Sequence, residues 1–510
     1  MSIVGAEVLE INTEDSVERS PLSVLEDVKW ISTTDGKMSP KEVFLSGDLD
    51  LNLSEDVVGY AYGAQYRFLM TIYALLAKEE RQSIGKSFSR EVIDRVFDKL
   101  APHADLFSKT DPFLQVIQDD LDSFLEGDLI EPKQLPGKLL PEGQSPGDNQ
   151  VTFWDLKGLN EHLPIQEAVL ALVCYYFYGI GTNTKLSSEG SLKLNNGSSG
   201  LRYMDSIEII PQSSGLMTSL PMSTPNSFLR SEGGELLPHW ADRKGNTMTV
   251  FDDLWRFSWS SNTCYCTFSK DGRYLEAITR GGIPRSWSKQ TPMSEGEKWA
   301  KSFHDERSTQ DPLFFYRDSQ PKGAEAPEKK LWRSGLSSDP YYSVAQWHFE
   351  ELSRKLETKW GSNLMDPSEL EDIVFLEHAT EGPSNSFNIR HSKVVRGWRE
   401  ELMPKKINKS VPGVAANVMA MRRKLTGLFT EGKGTCQHLS PRQRDVEDAY
   451  WKECQSIIED MIHEGTGEKE ANPRIVKAAV AAFESVSSNR DSVNIKSHMV
   501  GLGSILAFKF

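Results

Sequence analysis

Three stretches of this sequence place residue types at spacings that could do chemistry. The first is Gly179-Ile180-Gly181-Thr182-Asn183-Thr184-Lys185, which follows an apolar run. Glycines before a lysine can wrap backbone amides around a phosphate. A phosphate loop of that kind needs two glycines with four residues between them, then Lys-Ser or Lys-Thr. Here one residue separates the glycines and no such ending follows. The dinucleotide fingerprint fails as well: Thr184 stands where the third glycine belongs, and the preceding run reads as a helix, not a strand. Two readings stay open, a flexible surface loop or a close backbone approach to a ligand.

The second stretch is Cys264-x-Cys266, half of a metal site at most. Zinc sites take about four Cys or His ligands, and His239 and His304 are distant in sequence. Two cysteines packed on one face of a hairpin strand are the expectation. The third is basic. Residues 389–435 hold eleven Lys and Arg against three Glu. Such a run is either a solvated face or a track that neutralises phosphates. Arg422, Arg423 and Lys424 fall on one expected helix, Arg396 and Arg399 on another.

Hydrolytic and acid–base chemistry find little support. The ten histidines are dispersed. A Gly-x-Ser-x-Gly elbow is missing, and the pairs Asp119/Asp120 and Asp252/Asp253 read as surface carboxylates. No catalytic residue, cofactor or metal is expected.

The elements around these stretches follow from pattern. A chain of 510 residues exceeds what one core usually organises. Its net charge is −15, which argues against a dedicated nucleic-acid binder, but the charge is uneven: residues 1–60 hold thirteen Asp and Glu against four Lys and Arg. Five scattered cysteines fit a reducing cytoplasm. Neither a secretory leader nor a membrane span is expected.

"VKWISTTDGKMSPKEVF" (28–44) reads as a strand, an Asp-Gly turn and a short helix opened by Ser39-Pro40. Residues 62–80 and 164–178 read as buried helices and 90–100 as an amphipathic one. Residues 131–150 read as a long loop, 257–282 as a hairpin around Lys270-Asp271-Gly272, and 311–317 as strand-like. Four amphipathic helices close the chain: 390–402, 414–429, one opened by Ser440-Pro441 and one by Asn472-Pro473. One apolar stripe on each predicts an antiparallel four-helix bundle, with a boundary near 385.

The ordered blocks "VKWISTTDGKMSPKEVF", "DPFLQV", "GKLLPEGQSPGDNQVTFWD", the apolar helix running into a glycine loop, "DPLFFYR…LWRSGL" and the C-terminal bundle resemble the CasA family. Its members are large subunits of the type I-E CRISPR Cascade complex. The resemblance spans nearly the whole chain, on motifs that are individually weak. It implies an α+β protein that is not an enzyme: a large mixed α/β domain of unusual fold (1–384), then the four-helix bundle (385–510). The implied partners are other Cascade subunits, a CRISPR guide RNA, double-stranded target DNA and a helicase-nuclease. Guide pairing reads most of the target, and the protein reads a short adjacent motif.

Carried onto this sequence, the motif-reading loop falls on Gly179, Ile180, Gly181 and Thr182. A lysine finger falls on Lys298 or Lys301. A wedge that opens the first base pair falls on the turn 384–392, at Asn388, Arg390 or His391; the family's glutamine is missing there. A loop that holds the guide's handle falls on 141–153, where Phe153 either stacks on an unpaired base or packs in a core. The family lays its bundle along the DNA backbone, which favours a functional role for Arg396, Arg399, Arg422, Arg423 and Lys424. Two other readings remain: a nucleotide-binding enzyme using the 179–185 loop, and an acidic scaffold without nucleic-acid contact.

Overall fold

The computed structural model describes residues 19–80, 87–117, 131–141, 162–179, 207–212, 215–231, 234–243, 252–260, 262–282, 311–314, 316–319, 328–331, 372–381, 388–398, 411–429, 441–464, 466–487 and 495–510. Ile31–Thr33 (β1) pairs antiparallel with Gly36–Met38 (β2) across the Asp35-Gly36 turn. Pro40–Leu45 (α1) follows at once. Its cap is reciprocal: the Glu42 amide donates to the Ser39 hydroxyl at 3.3 Å, and the Ser39 amide donates to the Glu42 carboxylate at 2.9 Å. That box satisfies two amides that a helix start leaves without partners.

Gly59–Glu80 (α2) is buried along almost its whole length. Tyr62, Tyr66, Leu69, Tyr73 and Leu76, at helical spacing, are buried, and so are Gln65, Arg67 and Thr71 between them. A helix covered all round lies in the middle of its domain. Arg90–Leu100 (α3), capped by Ser89, packs on it. Leu163–Pro164 (β3) leads into Ile165–Tyr178 (α4), the expected apolar helix, which also packs on α2. Ile207–Gln212 (β4), Leu216–Ser223 (α5) and Asp253–Ser258 (α6) come next. Asp252, read from sequence as a surface carboxylate, is buried instead, with 4% exposure, at the start of α6.

Asn262–Phe268 (β5) and Tyr274–Gly282 (β6) form the expected hairpin, and β3 adds to the far edge of β6. Cys264 and Cys266 share a face of β5 with their sulfurs 3.4 Å apart as free thiols. Tyr316–Ser319 (β7) pairs with Glu328–Leu331 (β8). Asp372–Glu381 (β9) is the centre of an antiparallel sheet, flanked by β4 and by Asn388–Trp398 (β10).

Residues 388–398 are therefore a strand, which overturns the expected helix over 390–402. The spacing of Val394, Val395, Trp398 and Leu402 suits a helix, but β9 offers a free edge and β-branched residues suit the ladder. Arg396 consequently sits on a strand opposite Val374. The expected boundary at 385 falls between two strands that are hydrogen-bonded to each other.

Among the described residues after β10 there are four helices: Val411–Gly427 (α7), Pro441–Glu464 (α8), Glu468–Ser487 (α9) and Ile495–Leu506 (α10). Val414, Val418, Met421 and Leu425 form the buried stripe of α7, with Leu428 partly buried, and they meet Val446, Tyr450, Cys454 and Ile457 of α8. Two details differ. Helix α9 starts at Glu468, so Pro473 lies in its second turn, and Asn472 accepts a hydrogen bond from Asn417 of α7 at 2.8 Å. At that position the proline gives up the bond to the Lys469 carbonyl and its ring crowds that oxygen. Helix α10 supplies the fourth member in place of 390–402. Among the described residues, most buried apolar side chains fall into two clusters, one drawn from Val24 to Leu376 and the other from Val414 to Ile505. No helix among the described residues is long and apolar enough to cross a membrane.

Candidate nucleic-acid interface

The glycine loop leaves from the C-terminal end of α4, and its first residue is fixed. Gly179 is buried; its amide donates to the Tyr175 carbonyl at 2.9 Å, and its own carbonyl accepts from the Asn262 amide group at 2.9 Å. Asn262 also donates to the Tyr175 carbonyl at 2.7 Å, so one side chain from β5 satisfies two carbonyls at the helix end. The glycine at 179 is needed for room. A Cβ there would overlap the Tyr175 ring and lie 2.5 Å from its carbonyl oxygen. A helix C-terminus carries the negative end of the dipole, so the base of this loop disfavours a phosphate. That counts against the nucleotide reading. Ile180, Gly181 and Thr182 lie outside the described residues.

One residue earlier, Tyr178 enters a buried ionic cluster that sequence reasoning missed. Arg67 of α2 donates to Glu208 of β4 from Nε at 3.2 Å and from Nη2 at 3.0 Å. From Nη1 it donates to both oxygens of Asp311, at 3.2 and 2.9 Å. The Tyr178 hydroxyl donates to Glu208 Oε2 at 3.0 Å, and His378 Nε2 lies 3.2 Å from Glu208 Oε1. The rings of Phe257 and Phe314 each lie 5.3 Å from the guanidinium carbon, at cation–π range. Arg67, Glu208, Asp311 and His378 are all 3% exposed or less.

Burial alone would raise the Glu208 pKa, but Arg67, His378 and Tyr178 outweigh it and hold the carboxyl below its usual range. Burial, then the Glu208 carboxylate, pushes the Tyr178 phenol well up, so it stays a donor. The sheet explains the meeting. Glu208 lies opposite Leu376, and His378 is the diagonal neighbour two residues on, within reach of a long side chain. The backbone of Phe314 bridges to Glu208, which brings Asp311 alongside. A signal was present in the sequence: Arg67 is the lone charge within "AYGAQYRFLMTIYALLA".

Gly63, one turn before Arg67, makes the space for this cluster. A Cβ there would overlap the Tyr178 hydroxyl and lie 2.9 Å from Leu376. Gly63→Ala should therefore destabilise the protein, although alanine is favoured over glycine in a helix by about 1 kcal/mol. Forcing the carbon onto the bonded Tyr178 hydroxyl costs about 3 kcal/mol, the upper end of the overpacking range, so a net loss of about 2 kcal/mol should appear in a thermal melt of the variant.

The expected wedge lies at the start of β10. Asn388 pairs with Glu381, Ile389 with Thr380 and His391 with Ala379. Arg390 is thus the extra residue of a β-bulge. Bulges bend a strand and re-aim a side chain. Lys298, Lys301, Phe153 and Arg399 lie outside the described residues. The chain leading to the 141–153 loop is anchored, since Gln134 and Ile278 of β6 exchange two backbone hydrogen bonds at 3.0 Å.

The three basic residues of α7 are not equivalent. Arg422 is ion-paired with the buried Glu447 of α8, whose carboxyl is pushed up by burial and only partly restored by the guanidinium. Arg423 is exposed and Lys424 half-buried. The structure thus brings none of the strand arginines onto the same element as this trio. Removing Arg422 should cost stability of about 1–3 kcal/mol, because it strands a buried acceptor. Arg423→Ala should leave the melting temperature in place. If it contacts a phosphate, it lowers the salt slope of DNA binding by about one unit. Melting curves and a salt titration of both variants separate the two roles.

Residues 25–251 match the model of the family described as CRISPR-associated protein Cse1. No curated protein sequence matches the chain. Among solved structures, a chain described as "CRISPR RNA-guided surveillance complex" superposes with a TM-score of 0.61 at 14% identity, covering 96% of this chain and 100% of its own. The crystal structure of Cse1 from Acidimicrobium ferrooxidans gives 0.57 at 12% identity, over 96% and 98%. That of CasA from Thermus thermophilus gives 0.56 at 13%, over 95% and 98%. Residues 25–251 therefore carry the sequence pattern of the CRISPR-associated Cse1 family, and the chain as a whole has the Cse1/CasA fold.

Proposed function

We propose that this chain is the large, non-catalytic subunit of an RNA-guided CRISPR surveillance complex. Its task is to recognise a short motif beside the target in double-stranded DNA, help open the duplex for guide pairing, and help recruit the helicase-nuclease. The observation that carries the reading is the near full-length superposition on a chain of such a complex, joined to the family pattern over 25–251.

In this reading, residues 180–182 approach the groove from the end of α4, which Gly179 anchors. Without a side chain at 181, backbone can come close to base edges. Lys298 or Lys301 reaches in beside them, and the bulged strand start at Asn388, Arg390 and His391 supplies the wedge. Phe153 is assigned to contact with the guide's handle. Arg423 and Lys424, with Arg396 and Arg399, run along the DNA backbone, while Arg422 is occupied by Glu447. Such backbone contacts position the protein and carry little sequence information. The mixed part of the chain then extends through Trp398, and the helical part begins at α7. The acidic net charge is compatible, because only a local basic surface has to face phosphate.

The test is an electrophoretic shift with the other Cascade subunits, guide RNA and target duplex. Leaving this chain out should weaken target binding and abolish preference for the adjacent motif. Unchanged binding without it would end the reading in favour of a scaffold role.

A further inference from the structure

The buried cluster sits where the three proposed duplex-reading segments meet the core. Tyr178 immediately precedes the 179–182 loop, and Glu208, on the second residue of β4, receives the chain on its return. Asp311 receives the chain after the stretch that holds Lys298 and Lys301. His378 lies three residues before the end of β9, from which the chain turns toward Asn388, Arg390 and His391. Four side chains from four separate parts of the sequence thus converge on one guanidinium, directly or through Glu208.

Stability alone does not account for such a choice. Buried ion clusters are often no more stable than apolar residues of the same volume, and their best-attested use is to fix one arrangement against others. Apolar contacts tolerate sliding and repacking. Forked hydrogen bonds from a planar guanidinium do not, because their geometry admits few positions. The glycine at 63 supports this, since the helix gives up a side chain directly opposite the Tyr178 hydroxyl.

We propose that Arg67, Tyr178, Glu208, Asp311 and His378 are positioning residues for motif recognition. They hold the departure points of the three reading segments in fixed relative register, so that the segments address the same few base pairs. The inference rests on the function proposed above. It predicts that loosening the cluster blurs motif preference before it unfolds the protein.

Tyr178→Phe and Asp311→Asn test this in the assembled complex with guide RNA. The reading is the ratio of affinities for target duplexes with the preferred and with a scrambled adjacent motif. The control is Tyr66→Phe on α2, next to Arg67, which deletes a buried hydroxyl bonded to the Ser219 carbonyl at 2.9 Å, outside the cluster. Tyr178→Phe is expected to lower the ratio roughly threefold to thirtyfold, while Tyr66→Phe with a similar melting temperature leaves it unchanged. If Asp311→Asn does not fold, Tyr178→Phe, which removes a single oxygen, decides. Equal loss of preference in Tyr66→Phe would overturn the proposal by tracing the effect to stability. So would an unchanged ratio in Tyr178→Phe when the wild-type complex shows a clear preference. A wild-type complex with no motif preference would overturn the proposed function itself, and this inference with it.

Discussion

Arg67→Ala is expected to destabilise the N-terminal part of the molecule by about 3–5 kcal/mol, the range found when one partner of a buried ion pair is removed. The substitution leaves Glu208 and Asp311, both fully buried, facing each other without the cation between them. Burial opposes a charge on Arg67, and the two carboxylates more than compensate, so the charges hold one another in place. Arg67→Met should lose a similar amount, because it fills the volume but still strands the carboxylates. Replacing the cluster as a whole with apolar residues should lose much less. The denaturant midpoint followed by tryptophan fluorescence checks this, since Trp30, Trp240, Trp255 and Trp259 are all buried in that part. A midpoint unmoved by Arg67→Ala would mean that the cluster carries no energy.

The same cluster sets a pH dependence. Glu208 titrates below its usual range in the folded state. It therefore binds fewer protons folded than unfolded, and the stability it contributes is present above the ordinary glutamate pKa and lost as the pH falls through the depressed one. Acid melts of the wild type should show this loss below the usual carboxylate range. In Arg67→Ala the compensating charge is gone and burial opposes the carboxylate, so falling pH should relieve the variant through Glu208 where it destabilises the wild type.

Trp240→Ala should be comparably damaging, at about 3–5 kcal/mol for an aromatic truncated in a core. Trp240 stacks on Phe68 at 4.8 Å and meets Phe113 edge-on at 6.0 Å. Its indole nitrogen donates to the Thr71 hydroxyl at 3.0 Å. Phe68 and Thr71 are on α2, so this contact seats the helix that presents Arg67. Trp240→Phe should recover part of the loss, since it keeps a stacking ring and gives up the hydrogen bond. Unfolding midpoints of the two variants give the comparison. Equal losses would assign the energy to the hydrogen bond, and a loss in alanine alone would assign it to the packing.

Local rules made much of this fold legible. Ser39 and Glu42 at capping spacing, the apolar runs of α2 and α4, the Lys270-Asp271-Gly272 turn and the stripes of α7 and α8 each act within a few residues, so the sequence determines them by itself. It also determined the order of blocks that resembles a known family. What depended on distant partners was decided only by the tertiary structure. Val394 and Val395 fit a helix or a strand, and the edge of β9 selects the strand. Arg422 reads as a free cation until Glu447 arrives from another helix. Gly179 reads as an opening for a ligand, yet the ring and carbonyl of Tyr175 already require it to be small. Arg67, Tyr178, Glu208, Asp311 and His378 share no spacing at all, because a charge is made tolerable in a core by whatever the fold brings beside it, and no local pattern encodes that.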